Sequence, residues 1–109
     1  MTLIELRQIL DLTGFPVAYS HWTETATNPV PDPPYICYLV EGSPNMMADN
    51  MAFQKINDVN IELYTTKKAL AAEAALEKVL DDHKIPYESS ETFIDSEKLF
   101  QKFYEVRLI

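Results

Sequence analysis

Glycine, cysteine and basic residues are all scarce in this chain, and each scarcity removes a class of function. Gly14 and Gly42 are the only glycines. A glycine-built phosphate loop needs several backbone positions free of a Cβ, so that chemistry is excluded. Cys37 stands alone, so no internal disulfide forms and nothing argues for an oxidising compartment. His21 and His83 are isolated and show no metal-ligand spacing. No cofactor and no metal are therefore expected. Nine Lys and Arg stand against 17 Asp and Glu, a net charge of −8 with a pI near 4.6. Such a field repels a phosphate backbone, so specific nucleic-acid binding is not expected, although DNA could pass close by without being retained. No apolar run approaches the roughly 20 residues needed to span a bilayer. The opening stretch MTLIELRQIL carries Glu5 and Arg7 inside its apolar pattern, unlike the h-region of a signal peptide. The expectation is a protein of the cytoplasm.

What the chain does contain is enough apolar material for a core, 47% hydrophobic and 11% aromatic over 109 residues. That length fits one domain, residues 1–109. Leu3, Leu6, Ile9 and Leu10 share one face of a helix predicted over 3–12, with Thr2 and Glu5 spaced as a capping box and Gly14 and Pro16 ending it. A first strand is predicted over 17–22, followed by a loop over 23–34 that holds four prolines. Residues 35–41 read as a second strand, nearly continuous in apolar character and so central. Residues 42–50 break the pattern, and a long strand is expected over 53–65. Val59, Ile61 and Leu63 take one face of it and Asn60, Glu62 and Tyr64 the other. Phe53 shares the first parity and Ile56 does not, which predicts a bulge or bend near Asn57–Asp58.

A second helix over 67–83 buries Ala69, Ala72, Leu76, Val79 and Leu80. Two strands, 87–94 and 99–109, are joined at 95–98. The order α-β-β-β-α-β-β has few helical crossovers. It predicts an α+β fold, a mostly antiparallel sheet of about five strands with two helices packed on it.

Catalytic chemistry finds little support. Cys37 sits mid-strand, where a thiol is ordinarily inert core. Glu88, Glu91, Asp95 and Glu97 cluster in the last hairpin, but acidic side chains along a solvated strand explain them as well as an acid pair does. His83 fits as a favourable charge near a helix C-terminus. The one PxxP, Pro31 to Pro34, reads as a stiff lead-in to the second strand. The expectation is that the chain is not an enzyme.

Two features suit a subunit or partner interface. Met46 and Met47, beside Asp49 and Asn50, fall in a polar segment, where apolar side chains call for cover. Lys67 and Lys68 stand at the start of the second helix and Asp81 and Asp82 near its end, each opposing the helix dipole unless solvated or paired.

The strings Pro34-Tyr35-Ile36-Cys37-Tyr38, Ala48-Asp49-Asn50, Ile61-Glu62-Leu63-Tyr64-Thr65 with Lys67-Lys68, and Tyr104-Glu105-Val106, in this order and spacing, carry a resemblance. From about Thr13 to Ile109 the chain resembles the small tail terminator, or tail-to-head joining, proteins of long-tailed phages and prophages of Gram-positive bacteria. The resemblance implies the same α+β fold and a structural role. It implies a homohexameric ring that caps the tail tube, ends its polymerisation and joins tail to head. The implied partners are the chain itself, a major tail tube protein and a head connector protein. The implied location is the host cytoplasm during assembly and then the virion tail. A head–tail connector or head-completion component of the same particle, and a peptide-binding interaction module, are the alternatives.

Overall fold

The computed structural model describes residues 1–22, 30–42, 46–48, 51–54 and 56–108, with the backbone alone at 46–48 and 51–54. Helix α1 spans Leu3–Asp11. Thr2 Oγ1 accepts from the Glu5 backbone N–H at 3.1 Å, one of the bonds that the predicted cap requires. The reciprocal contact differs from a capping box, since the Thr2 hydroxyl donates to Glu5 Oε1 at 3.2 Å. Gly14, at φ +82°, turns the chain out of the helix in a conformation that glycine adopts without a Cβ penalty.

Strand β1, Val17–Tyr19, is shorter than predicted and stops at Ser20, whose φ is +68°. Strand β2 is Tyr35–Gly42, and β5, after a separate hairpin, is Asn57–Thr65. Helix α2 covers Leu70–Asp82, then β6 covers Tyr87–Ile94 and β7 Leu99–Leu108. The five strands are ordered β1-β2-β5-β7-β6. Three of the four pairings are antiparallel, and β1–β2 is parallel. The α+β class is as predicted. The parallel pair follows from the long connection after β1, which is enough chain to return to the same end of the sheet.

The predicted strand over 53–65 is in fact two elements. Met51–Gln54 forms β4, which pairs with β3, Met46–Ala48, in a two-stranded sheet of its own. Much of the predicted break over 42–50 is thus strand. The parity mismatch between Phe53 and Ile56 marks a change of sheet. The irregularity in the main sheet falls on the facing strand, between Val40 and Gly42, which pair with Val59 and Asp58.

Alternation assigns each strand residue to a face. Ile36, Tyr38, Val59, Ile61, Leu63, Tyr104 and Val106 join Leu6, Leu10, Leu76 and Leu80 of the helices in one core. Leu76, Leu80, Ile61 and Tyr104 are fully buried. Both helices thus lie on one face. The opposite face carries Tyr35, Cys37, Leu39, Asn60, Glu62, Tyr64, Gln101, Phe103 and Glu105. Among the described residues, no helix is long and apolar enough to cross a membrane.

Candidate interaction surfaces

Six of the eight residues singled out from the sequence are described, and they fall at two ends of the sheet. Helix α2 leaves β5 after Thr65 and returns to β6, where Tyr87 pairs with Val106 and Val106 with Val59. Asp81 and Asp82 therefore lie at the end where β5 begins, the end from which the β3–β4 hairpin departs. Lys67 and Lys68 lie at the other.

Met46 and Met47 are strand residues, with backbones paired to Gln54 and Ala52. Asp49 and Asn50 lie outside the described residues. Lys67 is exposed. Lys68 is not part of the helix, which begins at Leu70 behind an Ala69 cap, so the expected conflict with the dipole does not arise there. Its ammonium instead bridges Glu73, at 2.8 Å, and Glu91 of β6, at 3.0 Å. Asp82 pairs with Lys78 at 2.7 Å, one turn back on its own helix. At the helix end His83 Nδ1 donates to Val79 O at 2.8 Å, a carbonyl that also accepts the His83 backbone N–H at 3.3 Å.

The four clustered carboxylates are dispersed. Glu88 and Glu91 differ in parity and so point to opposite faces of β6, Asp95 pairs with Lys98 at 2.8 Å, and Glu97 is exposed in the turn. Cys37 is buried at 3% exposure, and that burial, with Glu62 nearby, pushes its thiol up to about 11. It is protonated at neutral pH and so a poor nucleophile. His21 Nδ1 lies 3.2 Å from Ser20 Oγ, its chain neighbour. Among the described residues, no group of three or more His, Cys, Asp or Glu could hold a metal ion.

Two polar constructions were not anticipated. Glu73, 7% exposed, sits inside the apolar stripe of α2 and accepts from Lys68 and, across the core edge, from Lys102 of β7 at 3.1 Å. Burial pushes its carboxyl up, but the bonds from the two ammonium groups outweigh that and leave it below the usual range. The signal was its position three residues before Leu76, within the buried arc.

The second lies on the sheet face without helices. Glu62 accepts from Tyr64 OH at 3.3 Å and from Gln101 Nε2 at 2.9 Å. Burial pushes its carboxyl above the ordinary range, and Glu41 adds to the shift. Towards the start of β5 on the same face, two rows of side chains cross the sheet. Leu39, Asn60, Glu105 and Glu88 form one, and Asp58 and Arg107 lie in the next, which Pro86 continues beyond β6. Between the rows runs a trough of about 470 Å³. The described residues lining it include Glu41, Asp58, Glu88, Glu105 and Arg107. Arg107 holds Asp58 through two bonds, of 2.7 and 3.1 Å. Asn60, 9% exposed, keeps its side-chain oxygen buried without a hydrogen-bond partner among the described residues.

Compared with known proteins, the sequence matches no family model and no curated protein.

Proposed function

We propose that the chain is a structural subunit of a phage or prophage tail, which assembles as a ring, caps the tail tube, ends its polymerisation and joins tail to head.

 The reading assigns it no catalysis and no cofactor. The observation that carries the proposal is the β3–β4 hairpin. It interrupts the chain between two central strands, yet pairs with neither of them and forms a sheet of its own. An isolated two-stranded hairpin is marginal in water. One inserted here gains stability when another subunit covers it, and Met46 and Met47 supply adaptable apolar contacts for that purpose. The resemblance of the chain to tail terminators supports the same reading. So does the acidic balance, which suits a ring whose lumen conducts DNA without retaining it. Its partners are further copies of itself, the tail tube protein and the head connector protein.

The test is polymerisation of purified tail tube protein with and without this chain. A cap added at a small fraction of the tube subunits shortens the tubes and sits at one end of each. Tubes of unchanged length, with no ring at their ends, contradict the proposal.

A further inference from the structure

We propose that two copies of this chain pair through the free edges of β6, antiparallel about a two-fold axis at Ser90, so that their sheets run on as one. The pair is distinct from the ring contact, because neighbours in a cyclic ring meet through two different surfaces. It stands or falls separately from the capping role.

Strand β6 is an edge without the usual guards. The five-stranded sheet ends at it, and among the described residues it pairs with β7 alone. Natural edges are blunted by shortness, proline, lysine, a bulge or a covering element. Strand β6 runs from Tyr87 to Ile94 with neither proline nor lysine, and its register with β7 is unbroken. Residues 88–93 are all exposed. The opposite edge, β1, holds only Val17–Tyr19 and is ended by the positive φ of Ser20. An open row of N–H and C=O groups as long as that of β6 is a template for a further strand.

The residues of β6 select a second β6 as that strand, and they select its register. A two-fold axis normal to the sheet keeps every side chain on its own face, so each residue meets one of the same parity and the axis passes through a residue. Centred on Ser90, Tyr87 meets the partner's Phe93, Glu88 meets the partner's Thr92 and Glu91 meets the partner's Ser89. Carboxylates face hydroxyls and an aromatic ring faces another, and such cross-strand pairs stabilise a sheet. Phe93, stacked on Phe100 at 4.9 Å yet 45% exposed, gains a second ring beside it. An axis moved to Glu91 would set that residue against the partner's Glu91, a repulsive pair. An axis moved to Ser89 would leave Thr92, Phe93 and Ile94 beyond the end of the partner strand. In the Ser90 register Glu91 nears the partner's Glu91 only diagonally, and Lys68 already holds its carboxylate at 3.0 Å.

The test is sedimentation equilibrium of the full chain together with cysteine cross-linking. A monomer–dimer equilibrium is expected, tightening as salt screens the charge of −8 on each copy. Ser90→Lys sets two ammonium groups against each other at the axis and weakens the dimer by about tenfold or more. The melting temperature stays nearly unchanged, since Ser90 is exposed. The same substitution lowers the net negative charge, so a tighter dimer would reduce the association to the general field of the protein and overturn the site. Under mild oxidation Ser90→Cys should form a covalent dimer rapidly, because directly opposed strand residues lie within disulfide reach. Thr92→Cys, set opposite the partner's Glu88, should form it far more slowly, and Cys37 is too buried to compete. The Met46→Ser/Met47→Ser variant should keep the dimer, and its loss there would place the contact on the β3–β4 hairpin instead. A chain that stays monomeric at every concentration and salt would overturn the pair. A dimer unmoved by Ser90→Lys, or equal cross-linking of the two cysteine variants, would do the same.

Discussion

Lys102 of β7 reaches Glu73 of α2 at 3.1 Å, with both side chains largely withdrawn from solvent, so this ion pair helps tie the second helix to the sheet. The carboxyl of Glu73 is pushed up by burial and pulled down further by Lys68 and Lys102, and ends below its ordinary value. A depressed folded-state pKa contributes stability above the unfolded value, near 4.3 for a typical Glu, and that contribution is lost as pH falls through the folded value. Urea midpoints from pH 7 to pH 3 should therefore fall more steeply for the native chain than for Glu73→Gln. Lys102→Met should cost about 1–3 kcal/mol at pH 7, the usual penalty for leaving a buried polar group short of a partner. Parallel pH curves for the native chain and Glu73→Gln would show that the pair is not coupled to folding.

Cys37 offers a simple check on the sheet interior. Its thiol is buried and pushed up to about 11. A disulfide-exchange reagent at pH 8 should leave it unmodified in the folded chain and modify it fully in urea. Rapid modification of the folded chain would mean that the middle of β2 is open to solvent.

The helices and the central strands were legible in the sequence because each carries a pattern that burial enforces. Leu6, Ile9 and Leu10 repeat at helical spacing, and Val59, Ile61 and Leu63 at strand spacing, and all six are buried. What the sequence hid was pairing. The parallel direction of β1 depends on where the chain returns after the proline-rich segment, and no local pattern encodes that. Helix α2 starts at Leu70, later than the predicted 67, since Lys67 and Lys68 fit a helical turn by propensity, while the pull of Lys68 toward Glu73 and Glu91 is a tertiary effect. The trough was hidden for the same reason. Asp58, Glu88 and Glu105 lie far apart in the chain and meet only through the register of β5, β7 and β6.

The hairpin gives the interface proposal its own test. Replacing Met46 and Met47 together with Ser should leave the melting temperature of the monomer nearly unchanged while reducing ring formation, read by native mass spectrometry. A large loss of monomer stability would show instead that the two residues pack within their own chain.

The capping role is tested most directly by electron micrographs of a lysate that lacks this protein. A cap acts by occupying the growing end of the tube, so its removal leaves growth unchecked and the junction with the head unmade. Free filled heads should then lie beside tubes of abnormal or variable length. Tails of normal, uniform length that are merely detached from heads would assign the chain to the connector instead, and intact infectious particles would contradict a structural role in either position.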